Sequence, residues 1–241
     1  MLKTKKTSNK KYLRETSLLD FGDPGIQAII SSRVHASMEV QERVRTLYEY
    51  VRDEIAFGYN RDDQIPASEV LRDGYGQCNT KSTLLMALLR AAGVPCRIHG
   101  FTIDKALQKG AITGIWYRLA SQEILHSWVE VQVGESWYNL EGVILDKSYL
   151  SALQAKFSDC KTTFCGYGAF TNSFAKPEIE WNLNDTYIQA EGIVQDFGIF
   201  DDPDAFYARH SQGLSAFKRF LFRNLVRHLM NRNVRWIRNN G

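Results

Sequence analysis

The chain of 241 residues reads as an α+β protein, and two changes of period carry that reading. Between Ser37 and Gly58 the apolar residues Met38, Val44, Leu47, Tyr48, Val51 and Ile55 fall at three- and four-residue steps, the spacing of one helix face. From Cys96 to Ile103, and again from Leu125 to Val133, apolar and polar residues alternate as they do along a strand. A composition of 44% apolar, 12% aromatic and 24% charged residues supports a packed core at this length without disulfide or metal staples.

In order, the amphipathic helix over 37–58 is followed by a short helical turn at Pro66–Leu71, which Gly74 and Gly76 interrupt. A second helix starts near Cys78 and runs to Ala92 through Leu84, Leu85, Met86, Leu88 and Leu89. Its density of leucine implies burial, and Gly93 with Pro95 is the expected stop. In the strand that begins near Leu125, the residues Leu125, Val129, Val131 and Val133 lie opposite a face holding His126, Trp128, Glu130 and Gln132. Gly134-Glu135 turns the chain into Ser136–Leu140, giving an antiparallel ribbon. The stretch 150–195 shows no period, and a last helix is expected from about Leu214 to Met230. The organisation read from this is a basic N-terminal tail (1–16), a main domain (17–200) and a basic helical extension (201–241).

The cysteines at 78, 96, 160 and 165 lack CxxC spacing and have no short-range histidine partner, so no metal site and no cofactor is expected. The N-terminus has no apolar segment of a secretory leader and no stretch is long enough to span a bilayer, so a cytoplasmic protein with reduced thiols is expected. Net charge is +3, but it is unevenly placed. Residues 1–16 carry six basic groups against Glu15, residues 205–241 carry eight against no acid, and the middle is acidic.

Three chemistry-bearing groups follow one another: Cys78 where a Gly-rich loop opens a buried helix, His126 near the start of a strand, and Glu141 just past the next strand. A thiol attacks acyl carbonyls as thiolate, which a helix N-terminus and a nearby imidazolium both stabilise. The imidazole needs an acceptor on its other nitrogen to fix its orientation. Glu141 is placed for that role, with Asn139 and Asp146 as alternatives.

The run Ala67-Ser68-Glu69-Val70-Leu71-Arg72-Asp73-Gly74-Tyr75-Gly76-Gln77-Cys78, the helix ending Gly93-Val94-Pro95-Cys96-Arg97, and His126-Ser127-Trp128-Val129-Glu130-Val131 followed by Trp137 resemble the transglutaminase-like core of papain-type thiol enzymes. The resemblance spans about residues 40–146. It implies a papain-like core with N-terminal helices packed on an antiparallel sheet, Cys78 as nucleophile, His126 as general base and acid, and an acid on the next strand as orienter. The family usually has Asp where this chain has Glu141, whose extra methylene sets the backbone farther back. All five tryptophans follow Cys78, so the tryptophan that large animal transglutaminases present upstream of the nucleophile has no counterpart. The backbone N–H of Cys78, with Gln77 or Tyr75 as a second donor, is the expected oxyanion site.

The function expected is thiol-dependent acyl transfer on a protein or peptide amide, by hydrolysis or transamidation. The alternative is a non-enzymatic binding module that retains the fold. Cys96 reads as a buried strand residue, and Cys160 and Cys165 as loop residues or, alternatively, a redox pair. His35, His99, His210 and His228 read as non-catalytic. In the C-terminal helix, Leu214, Phe217, Leu221, Leu225 and Leu229 make a stripe expected to dock on the acidic body, while Arg219, Arg223 and Arg227 gather on another face. That cationic face, with Phe220, Phe222 and Trp236, fits an anionic membrane surface better than nucleic acid, which would place the protein peripherally at the inner membrane face.

Overall fold

The structure, a computed structural model, describes residues 10–240; the first nine residues of the basic tail, with Lys3, Lys5 and Lys6, lie outside them. In chain order the helices are α1 (Pro24–Arg33), α2 (Val40–Asp53), α3 (Ala67–Asp73), α4 (Cys78–Ala91), α5 (Gly114–Leu119), α6 (Lys147–Lys156), α7 (Pro203–Tyr207), α8 (Ala216–Leu221) and α9 (Arg227–Asn240). A π turn over Phe222–Val226 joins the last two. The strands are β1 (Ala56–Phe57), β2 (Tyr75–Gly76), β3 (Cys96–Asp104), β4 (Glu123–Val133), β5 (Ser136–Asn139), β6 (Phe164–Gly166), β7 (Ala169–Thr171) and β8 (Ile193–Phe200).

The main sheet runs β5-β4-β3-β8 and is antiparallel at every step. Helix α4 lies across β4, and α2 and α3 pack on α4. The amphipathic face of α2 points inward, with Val44, Leu47, Tyr48 and Val51 fully buried. Gly74 ends α3 at φ +68, a left-handed cap that glycine adopts without a Cβ penalty. Gly100 on β3 serves a different purpose. A Cβ there would stand 2.3 Å from the Phe206 ring, so its absence lets α7 lie directly on the sheet.

Helix α4 is buried on all sides, its polar first turns as well as its leucines. Each polar side chain finds a partner, as burial demands. Gln77 and Thr80 form a reciprocal capping box. Asn79 Nδ2 donates to Leu125 O at 3.0 Å, and Ser82 Oγ donates to Ser127 O at 3.2 Å. Lys81 Nζ donates to the carbonyls of Arg52 and Ile144, and burial pulls its pKa down to about 7.

Several elements depart from the sequence expectation, among them α5, α6, α7 and the β6–β7 hairpin, which no period announces. Helix α1 went unread because only Ile26 on it is fully buried, although Asp23-Pro24 marks its start and the Asp23 carboxylate caps Gly25 N–H. Strand β8 begins at the end of the stretch without a period and shows no alternation of its own because it is an edge strand, mostly exposed or half-exposed, with register shifts beside Gly100 and Thr102. The C-terminal helix runs to Asn240 and docks by Met230, Val234 and Ile237, not by the expected stripe. Phe217 and Leu225 of that stripe are exposed. The π turn inserts an extra residue per turn and rotates the face that follows, so a single 3.6-residue stripe does not continue through it.

The two halves of the extension therefore differ in their contribution to stability. Met230→Ala, at a site 2% exposed, is expected to cost about 2–4 kcal/mol, while Phe217→Ala, at a site 72% exposed, should shift stability by less than about 0.5 kcal/mol. Urea unfolding of the two variants checks this, and equal costs would mean that the expected stripe is the docked one.

Candidate active site

Cys78 is the first residue of α4, so its side chain sits where the free N–H groups of the helix point, and it is 7% exposed. His126 lies on β4, fully buried. The two are held together by their neighbours. Asn79 donates to Leu125 O and accepts from Ser127 Oγ at 2.9 Å, so the residue after Cys78 is bonded to the residues on both sides of His126. Sequence reading missed Asn79 and Ser127, although both lie inside the motifs it quoted.

His126 Nε2 donates to Glu141 Oε1 at 2.9 Å, and both side chains are wholly buried. Glu141 opens a single 3-10 turn directly after β5. Its other oxygen, Oε2, accepts the backbone N–H groups of Ile188, Gln189 and Ala190 at 2.9, 2.9 and 3.0 Å. No residue type announces such a nest, since its donors are main-chain groups. His126 Nδ1 is buried without a hydrogen-bond partner, and the Cys78 thiol is the other group acting on the ring. Burial alone would lower the His126 pKa. The charge of Cys78 and the hydrogen bond to Glu141 outweigh it and raise the value to about 10.

The two alternative orienters stand elsewhere. Asn139 accepts from Trp128 Nε1 at 3.1 Å and donates to Tyr187 Oη at 2.7 Å. Asp146 caps α6 through Tyr149 N–H, accepts Phe57 N–H and pairs with Arg238 at 2.5 Å. Neither bonds the imidazole, because Asn139 is taken up by Trp128 and Tyr187 and Asp146 by the N–H groups of Phe57 and Tyr149 and by Arg238. Gln77 donates its amide to Asp63 at 2.5 Å and accepts from Thr80, and Tyr75 Oη accepts from Arg227 at 3.4 Å. Both proposed oxyanion donors thus flank Cys78 in sequence but are engaged with these partners.

Of the other thiols, Cys96 is buried and pushed up to about 11 by desolvation. Cys160 and Cys165 are free thiols, and partial burial with the charge of Asp104 pushes Cys165 up. His99 bridges Glu130 and Asp196 on β3, away from Cys78 in the contacts that it makes. Among the described residues no group of His, Cys, Asp and Glu is arranged to hold a metal ion.

A family model, the transglutaminase-like superfamily, matches residues 28–142, a span that contains Cys78, His126 and Glu141. Residues 28–142 form a transglutaminase-like domain. The uncharacterized protein YebA of Bacillus subtilis (strain 168) is 33% identical over 88 residues, which are 36% of this chain and 11% of that protein. The chain therefore matches about a tenth of the length of that relative. Among solved structures, a candidate cysteine protease from Cytophaga hutchinsonii is similar at a TM-score of 0.47 and 10% identity, over 82% of this chain and 48% of the other. Red sea bream transglutaminase is similar at 0.28 and 18% identity, over 41% and 21%.

The transglutaminase-like domain has a pH signature that needs no substrate. A histidine whose folded pKa is raised from 6.5 to about 10 contributes stability that is fully present below about 6.5 and is lost as the pH rises through about 10. Iodoacetate, an anion drawn to the imidazolium, is expected to alkylate Cys78 at a rate that falls over that alkaline range. Glu141→Gln should move the fall to lower pH by about 1–3 units, and Asp146→Asn should leave it in place while lowering the thermal midpoint. Rate profiles by peptide mass decide, and coincident limbs for wild type and Glu141→Gln would remove Glu141 from the histidine's surroundings.

Proposed function

We propose that this protein is a thiol-dependent acyl-transfer enzyme acting on amide bonds, with Cys78 as nucleophile, His126 as acid and base, and Glu141 as the residue that orients His126. The observation that carries the reading is the buried line from Cys78 through His126 to Glu141, closed by three backbone N–H groups. A carboxylate held this way fixes the imidazole with Nδ1 toward the thiol, the arrangement that stabilises a thiolate–imidazolium pair.

In the first half-reaction the Cys78 thiolate forms a bond to the carbonyl carbon and the π pair moves to oxygen, giving a tetrahedral oxyanion. The free N–H groups at the start of α4 face this charge. Collapse breaks the C–N bond, and the leaving amine takes the proton from His126 Nδ1. A thioester remains. Water then attacks as His126 removes its proton, and the second collapse releases the carboxylic acid and restores the thiolate. Hydrolysis is the favoured outcome, since water is always present; an amine in place of water gives transamidation by the same steps.

The test is a pool of peptides carrying internal amide bonds and glutamine carboxamides, incubated with and without a primary amine and read by mass. Turnover with release of ammonia or a cleaved peptide is expected, with a thioester mass on Cys78 under acid quench. Cys78→Ala should abolish turnover, and Glu141→Gln should lower kcat by about tenfold or more with the fold intact. At pH about 6, iodoacetamide should label Cys78 ahead of Cys96, Cys160 and Cys165. Preferential labelling of Cys160 or Cys165, or turnover that survives Cys78→Ala, overturns the assignment.

A further inference from the structure

The C-terminal extension has two apolar faces, and the fold uses one of them. Met230, Val234 and Ile237 are buried against the body, α9 packing on α6. Phe217, Phe220, Leu225 and Trp236 remain 72%, 65%, 42% and 54% exposed. Single exposed apolar residues are ordinary on a protein surface, but two phenylalanines three residues apart on one short helix, followed by Leu225 and Trp236, make a patch. Beside them on α5, Ile115 and Leu119 are exposed as well, and Trp116 lines a cleft of about 360 Å³ together with Val226, Leu229, Arg232 and Trp236.

The cations divide in the same way. Arg223 pairs with Asp62, Arg238 with Asp146, and Arg227 donates to Tyr75. Lys218, Arg219, Arg232 and Arg235 are exposed and form no ion pair among the described residues. Residues 205–241 hold no acid to oppose them. From this pattern we infer that the outer face of the extension, with Phe217, Phe220 and Leu225 beside Lys218 and Arg219, docks on an anionic lipid bilayer surface.

Three features select that occupant. Aromatic and leucine side chains interleaved with lysine and arginine on one helix suit the headgroup boundary, where rings enter the acyl region and cations meet lipid phosphates. A second copy of this chain is disfavoured, since an isologous contact would set two acid-free cationic surfaces against each other. Duplex nucleic acid is contacted mainly through phosphate, which gives Phe217 and Phe220 nothing to bury them. The docked face is not spent in the process, because Met230, Val234 and Ile237 stay in the core. Among the described residues no helix is long and apolar enough to cross a membrane, so the contact is one of surface docking.

The experiment uses the full chain with vesicles of phosphatidylcholine alone or mixed with phosphatidylglycerol, read by co-sedimentation at low and high salt. Binding to the mixed vesicles, weakened by salt and absent with phosphatidylcholine alone, is the expected result. Lys218→Glu with Arg219→Glu should lower the partition coefficient by about tenfold or more. Phe217→Ser with Phe220→Ser should lower it comparably at high salt, and both pairs should keep the wild-type thermal transition because these residues lie outside the core. No binding to mixed vesicles, binding that ignores the two phenylalanines, tighter retention of a DNA duplex at equal salt, or self-association abolished by the same substitutions would each overturn the inference.

Discussion

The buried charge of Glu141 is the constraint to which the rest of the site answers. A carboxylate with no solvent exposure loses its hydration, and the loss must be made good by donors fixed in the protein. Here there are four: His126 Nε2 from β4 and the three consecutive N–H groups of 188–190. Removing one partner of such a pair leaves the other charge buried and alone, at a cost of about 3–5 kcal/mol. The loop bearing the nest is laced to the same turn by backbone bonds, since Thr186 O accepts Glu141 N–H and Thr186 N–H donates to Asn139 O. Residues 186–190 are therefore tied to the site by polar contacts with Glu141 and the turn that carries it.

The same logic explains the start of α4. Helix patterns are read on the premise that polar residues face water, and the first turn Cys78-Asn79-Thr80-Lys81-Ser82-Thr83 looks exposed on that premise. It is buried instead, because those side chains do the positioning. Asn79 and Ser82 grip the backbone and side chain of β4 on either side of His126, so the distance between thiol and imidazole is fixed by hydrogen bonds that apolar packing could not supply. Lys81 is tolerated beneath them because burial shifts it toward the neutral form while two carbonyls accept its hydrogen bonds.

What the sequence revealed and what it hid divide along this line. The helix face of α2, the buried leucines of α4 and the hairpin at Gly134 follow from period and spacing, and the structure places them where that reading put them. On β4 the reading of faces was incomplete. Leu125 and Val129 face the core as expected, yet His126, Trp128 and Glu130 are buried too, because Tyr187 of the 186–190 loop and the side chains of Arg97, His99 and Phe101 on the neighbouring strand pack against them. The nest and β8 were illegible, since main-chain donors leave no residue signature and an edge strand with a register shift has no clean alternation. Asp146 looked like a spare catalytic acid because spacing alone does not reveal that Arg238, far along the chain, claims it.

The uneven charge of the chain has a physical resolution at each end. At the N-terminal side, Lys11 and Arg14 pair with Asp201 and Asp202 at 2.6 and 2.7 Å, and Thr16 bonds Asp204, so a basic stretch is neutralised by the acidic turn ahead of α7. The C-terminal extension is neutralised on one side only. Arg223 and Arg238 reach body carboxylates, while Lys218, Arg219, Arg232 and Arg235 are exposed and form no ion pair among the described residues. A straight α-helix carrying the same residues would hold Phe217, Leu221 and Leu225 on one continuous stripe and bury them together. The extra residue of the π turn lies between the exposed Phe217 and Phe220 and the docked Met230, Val234 and Ile237, so the register that would join them in one stripe is broken where the extension passes from its exposed half to its anchored one.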